Sequence, residues 1–227
     1  VVDPLLCSQD VTLQAVDILS REEREQFLEQ SLFQRLYERA HESRKIMLDM
    51  QFRMPETIGT FVSQHFYESV LDNADICKDG KPPLFLQHNL VLVDVQGDVA
   101  CHEEKTSDGK GLINQREAVL VGILVQRVRR FYAGRIVIIT PYKRQKGIIR
   151  GEINKLQEDR NLIRVDTVDS FQGDEAAVVI YSMTRTRYCT SFFSDYARIN
   201  VAMSRTNNML FLVASVHYLQ QYHTDRQ

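Results

Sequence analysis

The chain has 227 residues, 44% of them apolar, enough for one large domain with a substantial core. Its 28 basic and 30 acidic residues leave a formal charge of -2, which excludes nucleic-acid binding through bulk positive charge and confines any such function to a local groove. Cys7, Cys77, Cys101 and Cys189 make no C-x-x-C, against both a zinc site and a secreted disulfide framework; the six histidines form no metal-binding spacing, and no apolar run approaches ~18 residues, so no membrane span is expected.

With no signal-like segment at Val1, an intracellular protein, nuclear or cytoplasmic, is expected. The lack of an initiator Met is read as the mark of a piece of a longer protein. Residues 1–30 read as a divergent linker or helical lead-in, and 31–227 as the main domain. Within 21–44, Leu28, Leu32, Phe33, Leu36, Tyr37 and Ala40 recur at helical spacing. The run Gln51 to Pro55 (Q-F-R-M-P) falls in the loop before a second helix, set by Ile58, Phe61, Val62, Phe66 and Tyr67, with proline tolerated in its first turn. A polar connection over 73–83 precedes a strand at Leu90 to Val95, and Gln96 to Gly111 reads as a long mobile loop in which Glu103 and Glu104 are solvated.

From Asn114 a regular alternation begins. A helix of about four turns leads to a strand at Arg135 to Thr140, a helix at Lys143 to Gln157 and a strand at Ile163 to Thr167. A strand at Ala177 to Met183, a helix around Tyr196 to Arg205 and a strand at Met209 to Ala214 follow. Short apolar strands alternating with helices predict an α/β fold of three layers, a mainly parallel sheet with helices on both faces. In such sheets ligands gather where strands end at the carboxyl edge. Thr140-Pro141-Tyr142 and the run Val165 to Glu175 (V-D-T-V-D-S-F-Q-G-D-E) follow strand ends, and Arg205 lies late in the helix before the last strand.

Three runs, Q-F-R-M-P, V-D-T-V-D-S-F-Q-G-D-E and Arg198 to Arg205 (R-I-N-V-A-M-S-R), occur in the order found in superfamily 1 helicases. The chain resembles the branch containing senataxin, Aquarius and the nonsense-mediated-decay helicase, in its second RecA-like domain, a fold of the P-loop NTPase type. The likeness covers about Ser31 to Ser215 and includes Asn114, Glu117 and Ala118 of a weaker N-x-x-E-A signature. No G-x-x-x-x-G-K-[ST] run is present in these residues, so the half that grips ATP is missing from them and the fragment alone is expected to be inactive. A G-D-x-x-Q-L-P run is likewise not found in the first 20 residues.

The resemblance implies site residues one by one. Arg53 and Arg205 take the place of arginines that reach the γ-phosphate of ATP from the second domain, where charge grows on the equatorial oxygens. Phe52 takes the place of an aromatic, more often Tyr, that stacks on adenine, and Gln51 and Gly173 belong to the nucleotide-binding runs. Glu175 takes the place of a glutamate on the ribose. Asp174 stands where Arg or Gln is usual, an additional negative charge expected beside the nucleotide. Pro55 follows Met54 where many relatives insert His, predicting a tighter loop.

Thr140, Tyr142, Thr167 and Ser170 correspond to the line of contacts to single-stranded RNA or DNA, made to the backbone without reading sequence. The implied cofactors are ATP and a Mg2+ held mainly by a first RecA-like domain of the same polypeptide, with no metal site in this half.

Each residue also has a plainer reading. Arg53 and Arg205 would be surface ion-pair residues, Phe52 a core ring and Asp174-Glu175 a solvated turn. Lys143, Lys146 and Arg150 share one helix face, read as solvated, and Gln145 has no assigned role. Taken together the plainer readings describe a catalytically silent helicase-like domain acting as a nucleic-acid or protein interaction scaffold.

Overall fold

Ile136–Thr140 (IVIIT) and Ala176–Ser182 (AAVVIYS) are apolar along nearly their whole length because both of their faces are covered. The computed structural model describes residues 32–78, 86–156, 160–171, 174–187 and 196–224, in two units, Val1–Met47 and Leu48–Gln227. In the first unit, helix α1 (Leu32–Arg39) is followed by a 3-10 turn at Glu42–Arg44, whose start is capped by His41 Nδ1 accepting from the Ser43 N–H. Leu36 and Tyr37 are exposed, and residues 21–31 of the expected helix lie outside the described ones.

The second unit holds a five-stranded parallel sheet. Its strands are β3 (Leu90–Asp94), β6 (Ile136–Thr140), β7 (Ile163–Thr167), β8 (Ala176–Ser182) and β9 (Thr206–Ala214), in the order β3-β9-β8-β6-β7. Side chains alternate between the two faces. Val137, Ile139, Val179, Tyr181 and Leu210 pack on one face with Ile58 and Val62 of α2 (Glu56–Phe66), Ala202 and Met203 of α5 (Tyr196–Met203) and Tyr218 of α6 (Val216–Thr224). On the other face Ile136, Ile138, Val178, Ile180 and Phe211 meet Val121 and Val125 of α3 (Gln115–Arg129) and Ile149 and Ile153 of α4 (Lys143–Asn154). This is the three-layer arrangement the alternation predicts, RecA-like in architecture.

Two expectations are corrected. Pro55 is the residue that caps α2, one position before its first turn. The stretch 96–111 is not a structureless loop: β4 (Glu104–Lys105) and β5 (Leu112–Ile113) form an antiparallel hairpin, with Gly109 turning at φ +67° and Thr106 N–H bonded to Gly111 O at 2.9 Å. Strands of two residues are too short to show a period of two. A smaller parallel ladder joins β1 (Met50–Gln51) to β2 (Asp72–Asn73).

Candidate functional site

The Q-F-R-M-P run is held by its own glutamine. Gln51 is buried, its Oε1 accepts from the N–H groups of Arg53 and Met54 at 2.8 Å each, and its Nε2 donates to Met54 O (2.9 Å) and Asn73 Oδ1 (2.7 Å). The amide is thus occupied in shaping the turn. Gly59 lets α2 approach closely here, since a Cβ would overlap Asn73 Oδ1 and come within 2.7 Å of Gln51 Nε2. Met54 is anchored in the core while Phe52 is 69% exposed, which removes the reading of Phe52 as a core ring.

Arg53 leaves this turn toward the two other runs. Its Nε donates to Glu175 Oε2 at 2.8 Å and one terminal nitrogen donates to Ser204 O at 3.3 Å. Arg205 is next in sequence, and its carbonyl accepts from Ala176 N–H at 3.0 Å, so all three runs meet at the start of β8. The second run reaches this point through Val168 and the fully buried Phe171, and the third through Ala202 and Met203. Asn200 Nδ2, donating to Tyr67 OH at 2.9 Å, ties α5 to the end of α2. Gly173 lies outside the described residues.

Arg205 Nε is buried and has no hydrogen-bond partner among the described residues. Burial first, and the charge of Arg53 second, hold its pKa below the ordinary arginine value. Two guanidinium groups against one carboxylate leave the cluster with surplus positive charge and an unanswered donor, the chemistry that receives an anion. The Arg53–Glu175 pair is half-exposed, so it adds little to stability.

Asp174 does not leave a free negative charge beside Glu175. Its carboxylate accepts from Arg135 at 2.8 Å and Arg164 at 2.7 Å. The bond from Glu175 N–H, then Arg135 and the charge of Arg164, hold it below the usual carboxylate range against partial burial.

At the carboxyl edge the strand-contact candidates differ in access. Thr140 is fully buried, its hydroxyl 3.2 Å from that of Thr184. Thr167 is also buried and donates to the exposed Ser170 at 2.9 Å. Tyr142 is half-buried, its hydroxyl accepting from Arg185 Nε at 2.9 Å, with that guanidinium 5.6 Å from the ring centre. Tyr142 and Thr167 line one cleft of ≈ 630 Å³ with Lys110, Gly111, Lys143 and Arg144. The face carrying Lys146 and Arg150 is not simply solvated: Lys146 pairs with Asp166 at 2.7 Å and Arg150 donates to Val165 O at 3.0 Å, because β7 lies under that face.

Beneath this edge lies a polar network whose role the sequence did not reveal. Asn114 caps α3 by accepting from Glu117 N–H at 3.0 Å, exchanges two bonds with Gln145 (2.8 and 3.1 Å), and donates to Thr184 O at 3.2 Å. Glu117 is fully buried and accepts from Ser182 Oγ and from Thr184 N–H, the latter at 2.9 Å. Burial drives its pKa up to about 7, opposed by these two bonds and reinforced by Glu103. Thr184 has φ +68°, a left-handed conformation unusual for a branched residue. Glu103, expected to be solvated, is 9% exposed: it accepts from Thr186 N–H and hydroxyl (2.9 and 2.6 Å) and Arg187 N–H, and pairs with Arg185. Asn114, Glu117 and Gln145 stood out in sequence; Glu103 and Arg185 carried no signal because their partners lie far along the chain.

The sequence profile of the AAA domain family matches residues 28–217. The chain belongs to the AAA domain family. Within it, this AAA domain is a superfamily 1 helicase domain of the senataxin and nonsense-mediated-decay type. It is 29% identical to helicase sen1 of Schizosaccharomyces pombe, over 84% of this chain and 12% of that protein. It is 31% identical to an uncharacterized ATP-dependent helicase of Methanocaldococcus jannaschii, over 86% of this chain and 30% of that one. With the regulator of nonsense transcripts 1 homolog of Drosophila melanogaster it shares 30% identity, over 83% of this chain and 16% of that one. The helicase domain therefore spans between about an eighth and a third of these relatives' lengths. Among the described residues no helix is long and apolar enough to cross a membrane.

Proposed function

We propose that residues 31–227 are the second RecA-like domain of an ATP-dependent helicase that moves on single-stranded RNA or DNA, completing an ATP site whose phosphate-gripping half lies on a first domain of the same polypeptide. The observation that carries this reading is the meeting of Arg53, Arg205 and Glu175 with surplus positive charge and a buried Arg205 Nε that has no partner among the described residues. Such a cluster suits a phosphate. ATP, with Mg2+ held mainly by the first domain, supplies the bond that is cleaved.

Arg205 and Arg53 donate to the γ-phosphate as negative charge builds there, and their planar forks hold it without reorganising. Receiving the phosphate separates Arg53 from Glu175, which then turns to the ribose. Phe52, exposed beside them, offers its ring to adenine, with stacking contributing about 1–3 kcal/mol. Tyr142, Thr167 and the exposed Ser170 face the single strand at this edge, and the fully buried Thr140 shapes the turn beneath them. Gln51 maintains the nucleotide-facing turn that carries Phe52 and Arg53.

The test is steady-state ATP turnover by the polypeptide containing both halves. Arg205→Ala is expected to lower kcat by about a thousandfold, on the scale of supplied arginine fingers, with KM little changed. The 227-residue chain alone is expected to show no turnover. If Arg205→Ala, properly folded, hydrolyses ATP within a few-fold of wild type, Arg205 is a structural residue and the arginine-completed ATP site is refuted; if the wild-type polypeptide with both halves shows no turnover, the domain is a silent scaffold.

A further inference from the structure

The β4–β5 hairpin is docked rather than loose, and it stands beside Tyr142. Asp108 in its turn pairs with Arg144 on the first turn of α4 and accepts from Thr106 Oγ1. Gly111 sits so close to Arg144 that a Cβ there would overlap the arginine side chain. At its base, the buried Glu103 fastens the hairpin to Thr186 and Arg187.

Two clefts flank this element. The one of ≈ 630 Å³ runs from Lys110 and Gly111 past Tyr142, Lys143 and Arg144 to Thr167 and Asp169. The other, of ≈ 330 Å³, lies between Lys105, Lys110, Leu112, Tyr142 and Arg185. Lys110, Gly111 and Tyr142 line both, so the clefts are neighbours across the hairpin.

The charge around them is unbalanced. Arg144 is answered by Asp108 and Arg185 by Glu103, whereas Lys105, Lys110 and Lys143 are exposed and have no ion pair among the described residues. Against these three cations the clefts add only Asp169. A net negative chain of -2 that concentrates unanswered lysines beside an aromatic ring presents a local site for a polyanion with stackable groups.

We propose that the β4–β5 hairpin is a second wall of the single-strand track, with Lys105 and Lys110 holding backbone phosphates opposite the Tyr142 and Thr167 edge. This rests on the strand-binding reading above and adds residues that none of the three motif runs contains. The ligand is a single-stranded phosphodiester, RNA or DNA. The contacts are to phosphates, so they strengthen binding without sequence preference.

The experiment is fluorescence anisotropy of the 227-residue chain with labelled single-stranded RNA and DNA of equal length across a salt series. Wild type is expected to bind with a clear salt dependence. Each lost phosphate contact flattens the log–log slope by about 0.7, so Lys105→Ala with Lys110→Ala is expected to flatten it by about 1.4 and to weaken binding about 25-fold at 0.1 M salt. Lys105→Arg with Lys110→Arg is expected to keep the wild-type slope. Lys78→Ala, an exposed lysine lining neither cleft, controls for net charge and is expected to change the slope little. If wild type binds and the double alanine variant keeps its slope, or Lys78→Ala flattens it as much, the hairpin wall is refuted while the strand-binding reading stands. If wild type binds neither strand, both fall.

Discussion

Glu117→Gln isolates the cost of an ionised carboxylate buried beneath the sheet edge. Glu117 is inaccessible to solvent, no basic side chain pairs with it among the described residues, and burial raises its pKa from 4.5 to about 7. A folded-state pKa above the unfolded one means that the folded state holds the proton more tightly. Its contribution is therefore fully present below pH ~4.5 and is lost as pH rises toward and through 7. A rise from 4.5 to about 7, at ~1.4 kcal/mol per tenfold change in proton affinity, gives a decline of about 3 kcal/mol over that window.

Glutamine keeps the oxygen that accepts from Ser182 Oγ and Thr184 N–H and cannot ionise. The variant is expected to match wild type within about 1 kcal/mol at pH 5 and to exceed it by about 3 kcal/mol at pH 8. Urea unfolding followed by circular dichroism at half-unit pH steps measures this. A stability difference between wild type and Glu117→Gln that stays flat from pH 5 to 8 would falsify the assignment of a buried, neutralised acid.

Acid should act oppositely on Asp166. Its burial, which alone would raise its pKa, is outweighed by bonds from Lys146, Arg164 and Thr167 N–H, so it falls from 3.8 to about 2. The stability it gives is present above pH ~3.8 and lost as pH falls through 2; Lys146→Ala is expected to remove part of that, seen as an acid unfolding midpoint shifted to higher pH. Gly59→Ala gains up to ~1 kcal/mol in helix propensity but pushes apart Gln51 and Asn73, and overpacking costs about 1–3 kcal/mol, so a net loss of about 1 kcal/mol is expected in thermal unfolding. A rise in Tm would show that the turn yields freely. Glu175→Ala, in the polypeptide with both halves, is expected mainly to raise KM for ATP; because it also frees Arg53, a kcat change within about threefold is the accompanying result, and a kcat loss as large as that of Arg205→Ala would make Glu175 an essential partner of the arginines.

The sheet was legible because its strands announce themselves. Ile136–Thr140 is a continuous buried run and Ala176–Ser182 very nearly one, each bounded by helical spacing, and covering both faces is what makes such runs apolar. The candidate site was legible to the extent that each motif run keeps its chemistry local: Arg53, Glu175 and Arg205 meet, as three runs in family order imply. What local pattern conceals is partnership at a distance. Nothing near Glu103 foretells that residues 83 and 84 positions later bury it, and Asp174 reads as a free charge until Arg135 and Arg164 close on it. Lys146 and Arg150 look solvated on their own helix because their partners belong to β7.

The pairing of β3 with β9 also governs how this chain comes to be folded. Leu90 lies opposite Leu210, 120 residues later, and β3 has no other strand neighbour among the described residues. During synthesis at about 5–20 residues per second, β3 leaves the ribosome many seconds before its partner exists. Meanwhile β6 and β7, joined only through α4, can pair at once and seed the other end of the sheet. Of the five strands of this sheet, the one made first is thus among the last to be secured, and a nascent chain stopped before Thr206 carries an unpaired apolar edge on β8 as well as a stranded β3, a natural target for chaperones.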